Sequence, residues 1–104
     1  MTTEFVKVAA VDEIPPGKFR CVKIGENGLV VANVKGAFHA VENLCSHGLA
    51  TFDDGRLRGP RLMCPLHGGT FDIRDGSAKG KPATVPIRSF ETRIVDGNVE
   101  VCVD

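Results

Sequence analysis

The chain has 104 residues, enough for one domain and too few for a second core. Its apolar fraction of 42% and charged fraction of 25% are ordinary for a globular chain, and no apolar run approaches the roughly eighteen residues that span a bilayer. Thirteen Lys and Arg balance thirteen Asp and Glu, and Tyr and Trp are absent, which argues against nucleic-acid binding. The start, Met1 to Lys7, has neither a basic n-region nor an apolar h-region, so no secretory signal is expected and a cytoplasmic location is.

In chain order, Phe19–Ile24 reads as a strand carrying Cys21. Asn27-Gly28 and Lys35-Gly36 are expected to be tight turns bracketing a strand over Leu29–Val34, with Ala37–Val41 as its return partner. Asn43-Leu44 then ends the strand, and Asp54-Gly55 and Asp75-Gly76 mark further turns. Gly80–Pro86 is Pro-rich and reads as a stiff turn. Phe90–Val95 and Asn98–Val103 flank Asp96-Gly97, a strong hairpin signal. Short strands at this spacing, without helical periodicity, predict an all-β fold: an antiparallel sandwich or barrel.

Two short boxes fall in the expected loops: Cys45-Ser46-His47-Gly48 and Cys64-Pro65-Leu66-His67-Gly68-Gly69, with sixteen residues between His47 and Cys64. Each offers one thiolate and one imidazole. Zinc sites usually pair two Cys and then two His, whereas these boxes mix the types. Mixing suits an asymmetric [2Fe–2S] centre in which one iron takes both Cys and the other both His; a structural zinc is the competing occupant. Glycines after each His permit positive φ and close approach of backbone N–H groups to sulfide.

Cys-x-His-x₁₆-Cys-x₂-His, with Cys64-Pro65 and a Gly after each His, resembles the Rieske family over nearly the whole chain. The resemblance implies one [2Fe–2S] cluster, with Cys45 and Cys64 on one iron and His47 and His67 on the other. It implies a cluster-binding subdomain of about residues 43–69 on a β base built from 1–42 and 70–104, all within one domain. It also implies that Gly80–Pro86 is a proline loop shielding the cluster. Two ferric ions, two sulfides and two thiolates sum to zero formal charge, so reduction is easier than in a four-thiolate centre. Rieske potentials lie roughly 250 mV or more above plant-type ferredoxins.

High-potential members carry an extra Cys in each box, a Ser after the second His-Gly and a nearby Tyr. The corresponding positions here are Leu49, Leu66 and Gly69, and there is no Tyr. Fewer hydrogen bonds to sulfur stabilise the reduced centre less, so a low potential is expected. A terminal oxygenase needs two further His on a mononuclear iron, and only His39 is left. His39 is expected to be a structural or surface histidine. No Gly-x-Gly-x-x-Gly loop is present for direct use of NAD(P)H. The chain therefore resembles the Rieske ferredoxins of bacterial aromatic-ring dioxygenases. That resemblance implies no catalysis of its own, but single-electron shuttling from a flavin-dependent ferredoxin reductase to a terminal oxygenase. A small Rieske subunit of an NAD(P)H-dependent nitrite reductase is the nearest alternative, and a zinc-stabilised interaction module is the alternative from another class.

Cys21 and Cys102 stand outside the boxes and are expected to be buried thiols. Charge is uneven: net −2 over residues 1–54, +5 over 55–90 and −3 over 91–104. The basic stretch surrounds the second box and suits docking of acidic partners.

Overall fold

A computed structural model of the chain describes residues 4–45, 51–65, 68–81 and 85–103. Among the described residues ten strands form, and the only helical element is a 3₁₀ turn at Val11–Glu13. The strands are β1 (Phe5–Ala10), β2 (Phe19–Ile24), β3 (Asn27–Val34), β4 (Ala37–Glu42), β5 (Arg56–Arg58), β6 (Arg61–Met63), β7 (Thr70–Asp72), β8 (Ala78–Gly80), β9 (Ser89–Val95) and β10 (Asn98–Cys102). They make a six-stranded sheet ordered β1-β10-β9-β4-β3-β2 and a four-stranded sheet ordered β5-β6-β7-β8. Every pairing is antiparallel, in keeping with the expected all-β class.

The larger sheet is built from hairpins whose turns are written in the chain. Lys35 and Gly36 have φ of 53° and 93°, and Asp96 and Gly97 have φ of 51° and 76°. Two successive positive φ values twist a two-residue turn in the same sense as the strands it joins. One turn lies elsewhere than expected. Ile24 pairs with Asn27 and Lys23 with Gly28, so Asn27-Gly28 begins β3 and the turn is Gly25-Glu26. Gly25 supplies the positive φ, 60°, that opens this turn.

β3 explains how two sheets share one molecule. Leu29, Val30, Val31 and Ala32 are all fully buried, because successive side chains face different cores. Leu29 and Val31 join Ala9, Phe38, Ala40, Val99 and Val101 inside the larger sheet. Val30 and Ala32 face the smaller sheet, where they meet Val41, Phe52, Leu62, Phe71, Ile73 and Ile87. Asn33, also buried, donates to the Ile14 carbonyl at 2.8 Å and accepts from the Gly36 amide at 2.7 Å, so its amide group is satisfied on both sides.

Candidate metal centre

The second of these cores contains both box cysteines. Cys45 follows β4 and Cys64 follows β6; both are buried among Phe52, Leu62, Phe71 and Ile73. Phe52 and Phe71 meet edge to face, ring centroids 5.6 Å apart at 89°. This wall is apolar, so sulfur is drawn away from water beside aromatic carbon. Two soft sulfur donors brought into one dry core from separate loops suit an iron–sulfur centre. His47 and His67 lie outside the described residues, as do Leu49, Leu66 and residues 82–84 of the Pro-rich segment.

The loop of the second box is held from inside. Gly68 has φ of 74°, a conformation glycine adopts without cost, and its carbonyl accepts from Thr70 Oγ1 at 3.2 Å. The Cys64 amide donates to the Gly69 carbonyl at 2.7 Å, closing the loop at the end of the β6–β7 hairpin. The segment after residue 84 is anchored to the small sheet: the Ile87 amide donates to the Gly76 carbonyl at 2.8 Å, and a Cβ on Gly76 would run into the Ile87 carbonyl oxygen. Below it, Asp72 is buried and bound by Arg74, whose Nε and Nη2 donate at 2.9 and 2.7 Å. The Arg74 side chain is the main cause holding the Asp72 carboxyl down to about 2.

The first box is held by Asn43, read in the sequence only as a strand end. Its Oδ1 accepts from the Phe52 amide at 2.7 Å and its Nδ2 donates to Asp53 Oδ1 at 3.0 Å. Sequence reading missed this role because the partners are nine and ten residues away.

The remaining candidates fall away from the box cysteines' chemistry. His39 lies on β4, half-buried, its pKa lowered first by burial and then by the Arg74 charge. Burial, with a smaller contribution from Asp53, pushes the Cys21 thiol up to about 11, so it is protonated and unreactive at neutral pH. Cys102 is buried near the end of β10. Both are free thiols, Cys102 buried as expected and Cys21 only half-buried on β2.

The basic stretch resolves into a surface. Arg56 pairs with Met63 and Arg58 with Arg61 across β5 and β6, so all four point outward while Leu57 and Leu62 point inward. With Thr70 they line a groove of about 360 Å³ beside the second box. Of the five large apolar side chains left exposed among the described residues, three lie at these loops: Leu44 (40%) adjoins Cys45, Met63 (40%) adjoins Cys64, and Val85 (58%) lies in the Pro-rich segment, while Ile94 and Val95 close β9.

Residues 4–91 match the Rieske [2Fe-2S] domain family. The chain belongs to that family. Among its relatives, Ferredoxin CarAc of Metapseudomonas resinovorans is 37% identical over 102 residues, 97% of this chain and 95% of the relative. The ferredoxin component of the naphthalene 1,2-dioxygenase system of Pseudomonas putida is 35% identical, covering 100% of this chain and 98% of the relative. The solved ferredoxin of carbazole 1,9a-dioxygenase from Nocardioides aromaticivorans superposes with a TM-score of 0.93 at 28% identity, covering 99% of this chain and 100% of that one. A ferredoxin solved in complex with the reduced oxygenase of carbazole 1,9a-dioxygenase gives a TM-score of 0.90 at 36% identity, covering 97% and 94%. The Rieske protein described here is thus a ferredoxin, an electron carrier and not an enzyme, and its cofactor is one [2Fe–2S] cluster. No helix among the described residues is long and apolar enough to cross a membrane.

Proposed function

We propose that this ferredoxin takes single electrons from a flavin-dependent NAD(P)H reductase and delivers them to a terminal Rieske non-heme iron oxygenase acting on an aromatic ring, in the cytoplasm. Cys45 and Cys64 would hold one iron and His47 and His67 the other, within a unit of about residues 43–69 seated on the β base. A bound [2Fe–2S] cluster supplies one-electron redox chemistry with no open coordination position. The protein's own part is to keep sulfur dry, to bring partners close and to release them. The observation that carries this reading is the placement of three exposed apolar side chains at the loops, apart from Ile94 and Val95 on β9. Leu44, Met63 and Val85 each flank one of the three loops assigned to the centre, where an apolar contact excludes water and shortens the tunnelling distance. The outward arginines of β5 and β6 add long-range attraction for an acidic partner surface.

Metal and sulfide analysis of anaerobically purified protein should give two irons and two inorganic sulfides per chain; one zinc without sulfide would sink the reading. Gly69 in place of a hydroxyl and the absence of Tyr predict a midpoint near about −150 mV, the foot of the Rieske range. Protein-film voltammetry checks this, and a midpoint above about +100 mV overturns it. For docking, stopped-flow reduction by the cognate reductase should slow with rising ionic strength. It should also slow on reversal of Arg56, Arg58 and Arg61, most strongly at low salt. Rates indifferent to both would assign recognition to the apolar rim alone.

A further inference from the structure

One side chain spans the two ends of the loop that carries the first box. The Asn43 amide N–H donates to the Gly28 carbonyl at 2.9 Å, fixing the residue to the start of β3. Its side chain then reaches across the loop to Phe52 and Asp53, at 2.7 and 3.0 Å. The partners settle the amide's orientation. A backbone N–H must meet the oxygen and a carboxylate must meet the nitrogen. Asn is the short side chain that offers an acceptor and a donor together.

The strap continues to the second box. The Phe52 carbonyl accepts from the Gly55 amide at 2.8 Å. At Gly55 a Cβ would run into the Met63 carbonyl oxygen and lie 3.0 Å from that of Phe52, so this backbone rests directly on the residue before Cys64. The Phe52 ring is buried beside both cysteines. A continuous path therefore runs from Asn43, two residues before Cys45, through Phe52 and Gly55 to Met63, one residue before Cys64.

We propose that Asn43 is a positioning residue that sets Cys45 against Cys64, and so the geometry of the cluster site, through its paired hydrogen bonds to Phe52 and Asp53. The inference rests on the assignment of Cys45 and Cys64 as ligands, which iron and sulfide analysis of the native protein decides separately. Asp53 supports it: its carboxyl is held below the usual range, first by the Asn43 hydrogen bond and then by one from Thr51.

The test uses the cluster-loaded protein and three variants. Asn43→Ala removes both bonds. Asn43→Asp keeps the acceptor for Phe52 but sets a second carboxylate against Asp53. Asn43→Asp with Asp53→Asn keeps the Phe52 bond and restores the bond to residue 53 with donor and acceptor exchanged. The readouts are the rate of colour loss under a ferrous chelator, the EPR g-values of the reduced protein and hydrogen exchange at the Phe52 amide. Asn43→Ala should lose colour at least about tenfold faster, with shifted or broadened g-values and faster exchange at Phe52. Asn43→Asp should resemble it in colour loss and g-values while exchange at Phe52 stays near native, and the double variant should return to within about twofold of native in all three. Val99→Ala, in the other core and paired only with β1 and β9, serves as the comparison for plain destabilisation and should leave the g-values in place. If Asn43→Ala does not fold, the two size-conserving variants carry the test. Native g-values and native colour loss in Asn43→Asp, or a double variant no better than Asn43→Asp, would overturn the proposal.

Discussion

The two sheets of this molecule are held together by different means. The larger has strands of five to eight residues, with turns whose positive φ values match their sequence. In the smaller, every strand is three residues long. Three residues per strand give too few ladder bonds and too little apolar area to persist alone. The small sheet stands because Leu62 and Phe71 are sunk in a core shared with β3, and because single backbone bonds bind its irregular segments. Among these are Ile73 N–H to the Pro60 carbonyl at 2.8 Å and Gly76 N–H to the Asp72 carbonyl at 2.7 Å. Periodicity secures the base, whereas the box-bearing sheet depends on individual contacts. Single substitutions should therefore disturb the redox site when made in the small sheet and leave it alone when made in the base's own core, on the far side of β3.

The largest contrast should come from removing one buried side chain on each side of β3. Phe71→Ala deletes the ring that meets Phe52 beside the two cysteines and should cost about 3–5 kcal/mol. Leu29→Ala, in the other core, should cost about 2–5 kcal/mol. Urea titration followed by circular dichroism gives the stabilities, and visible absorption reports the site. Phe71→Ala should alter the visible spectrum before global unfolding, while Leu29→Ala should lose colour and fold together. Coincident transitions in both would mean that the sheets act as one cooperative unit.

The same contrast can be drawn between two glycines of nearly equal backbone conformation. Gly76 has φ of 80° and Gly97 has φ of 76°. A Cβ at Gly97 meets nothing within 4 Å, so Gly97→Ala should cost only the left-handed conformation, about 1 kcal/mol. At Gly76 it meets the Ile87 carbonyl, whose residue also donates to Gly76, so the segment after residue 84 must shift. Gly76→Ala should cost about 2–4 kcal/mol by adding overpacking to the conformational cost. Equal midpoints for the two variants in thermal unfolding would show that this anchor yields freely.

What could be read in the chain follows the same division. Leu29–Val34, Ala37–Val41 and the hairpin at Asp96-Gly97 were legible because alternation and turn chemistry are local. Asn27-Gly28 misled because a favourable turn pair lies two residues beyond Gly25, which takes the turn. In the small sheet, Arg56-Leu57-Arg58 and Arg61-Leu62-Met63 are too short to show a period. The basic excess was visible as composition, but its gathering on one face with Met63 needs the β5–β6 register. The box cysteines were legible as residue types at a spacing. Asn43 was not, since its meaning lies in a backbone amide nine residues on.

The smallest effect separates the ion pairs of the two sheets. In the base, Arg20–Glu13 is a solvated pair with both side chains about half exposed, so Glu13→Gln should barely change stability. Asp72 differs, because its carboxylate is buried and accepts from the Arg74 amide as well as from the Arg74 side chain. Asp72→Asn keeps the size but loses the charge that Arg74 binds, and should cost about 1–2 kcal/mol at pH 7. The pH dependence has a fixed sign. The folded carboxyl is depressed from 3.8 to about 2, so its contribution is fully present above the unfolded value. Below pH 3.8 the unfolded chain binds a proton that the folded chain still refuses, and the contribution is gone once pH falls through about 2. Urea midpoints read by circular dichroism should therefore separate native protein from Asp72→Asn by a constant amount from pH 7 to about 4.5 and converge towards pH 2. Circular dichroism follows the backbone whatever the state of the metal site. A separation that persists undiminished at pH 2 would assign the stabilisation to packing around Asp72 and not to its charge.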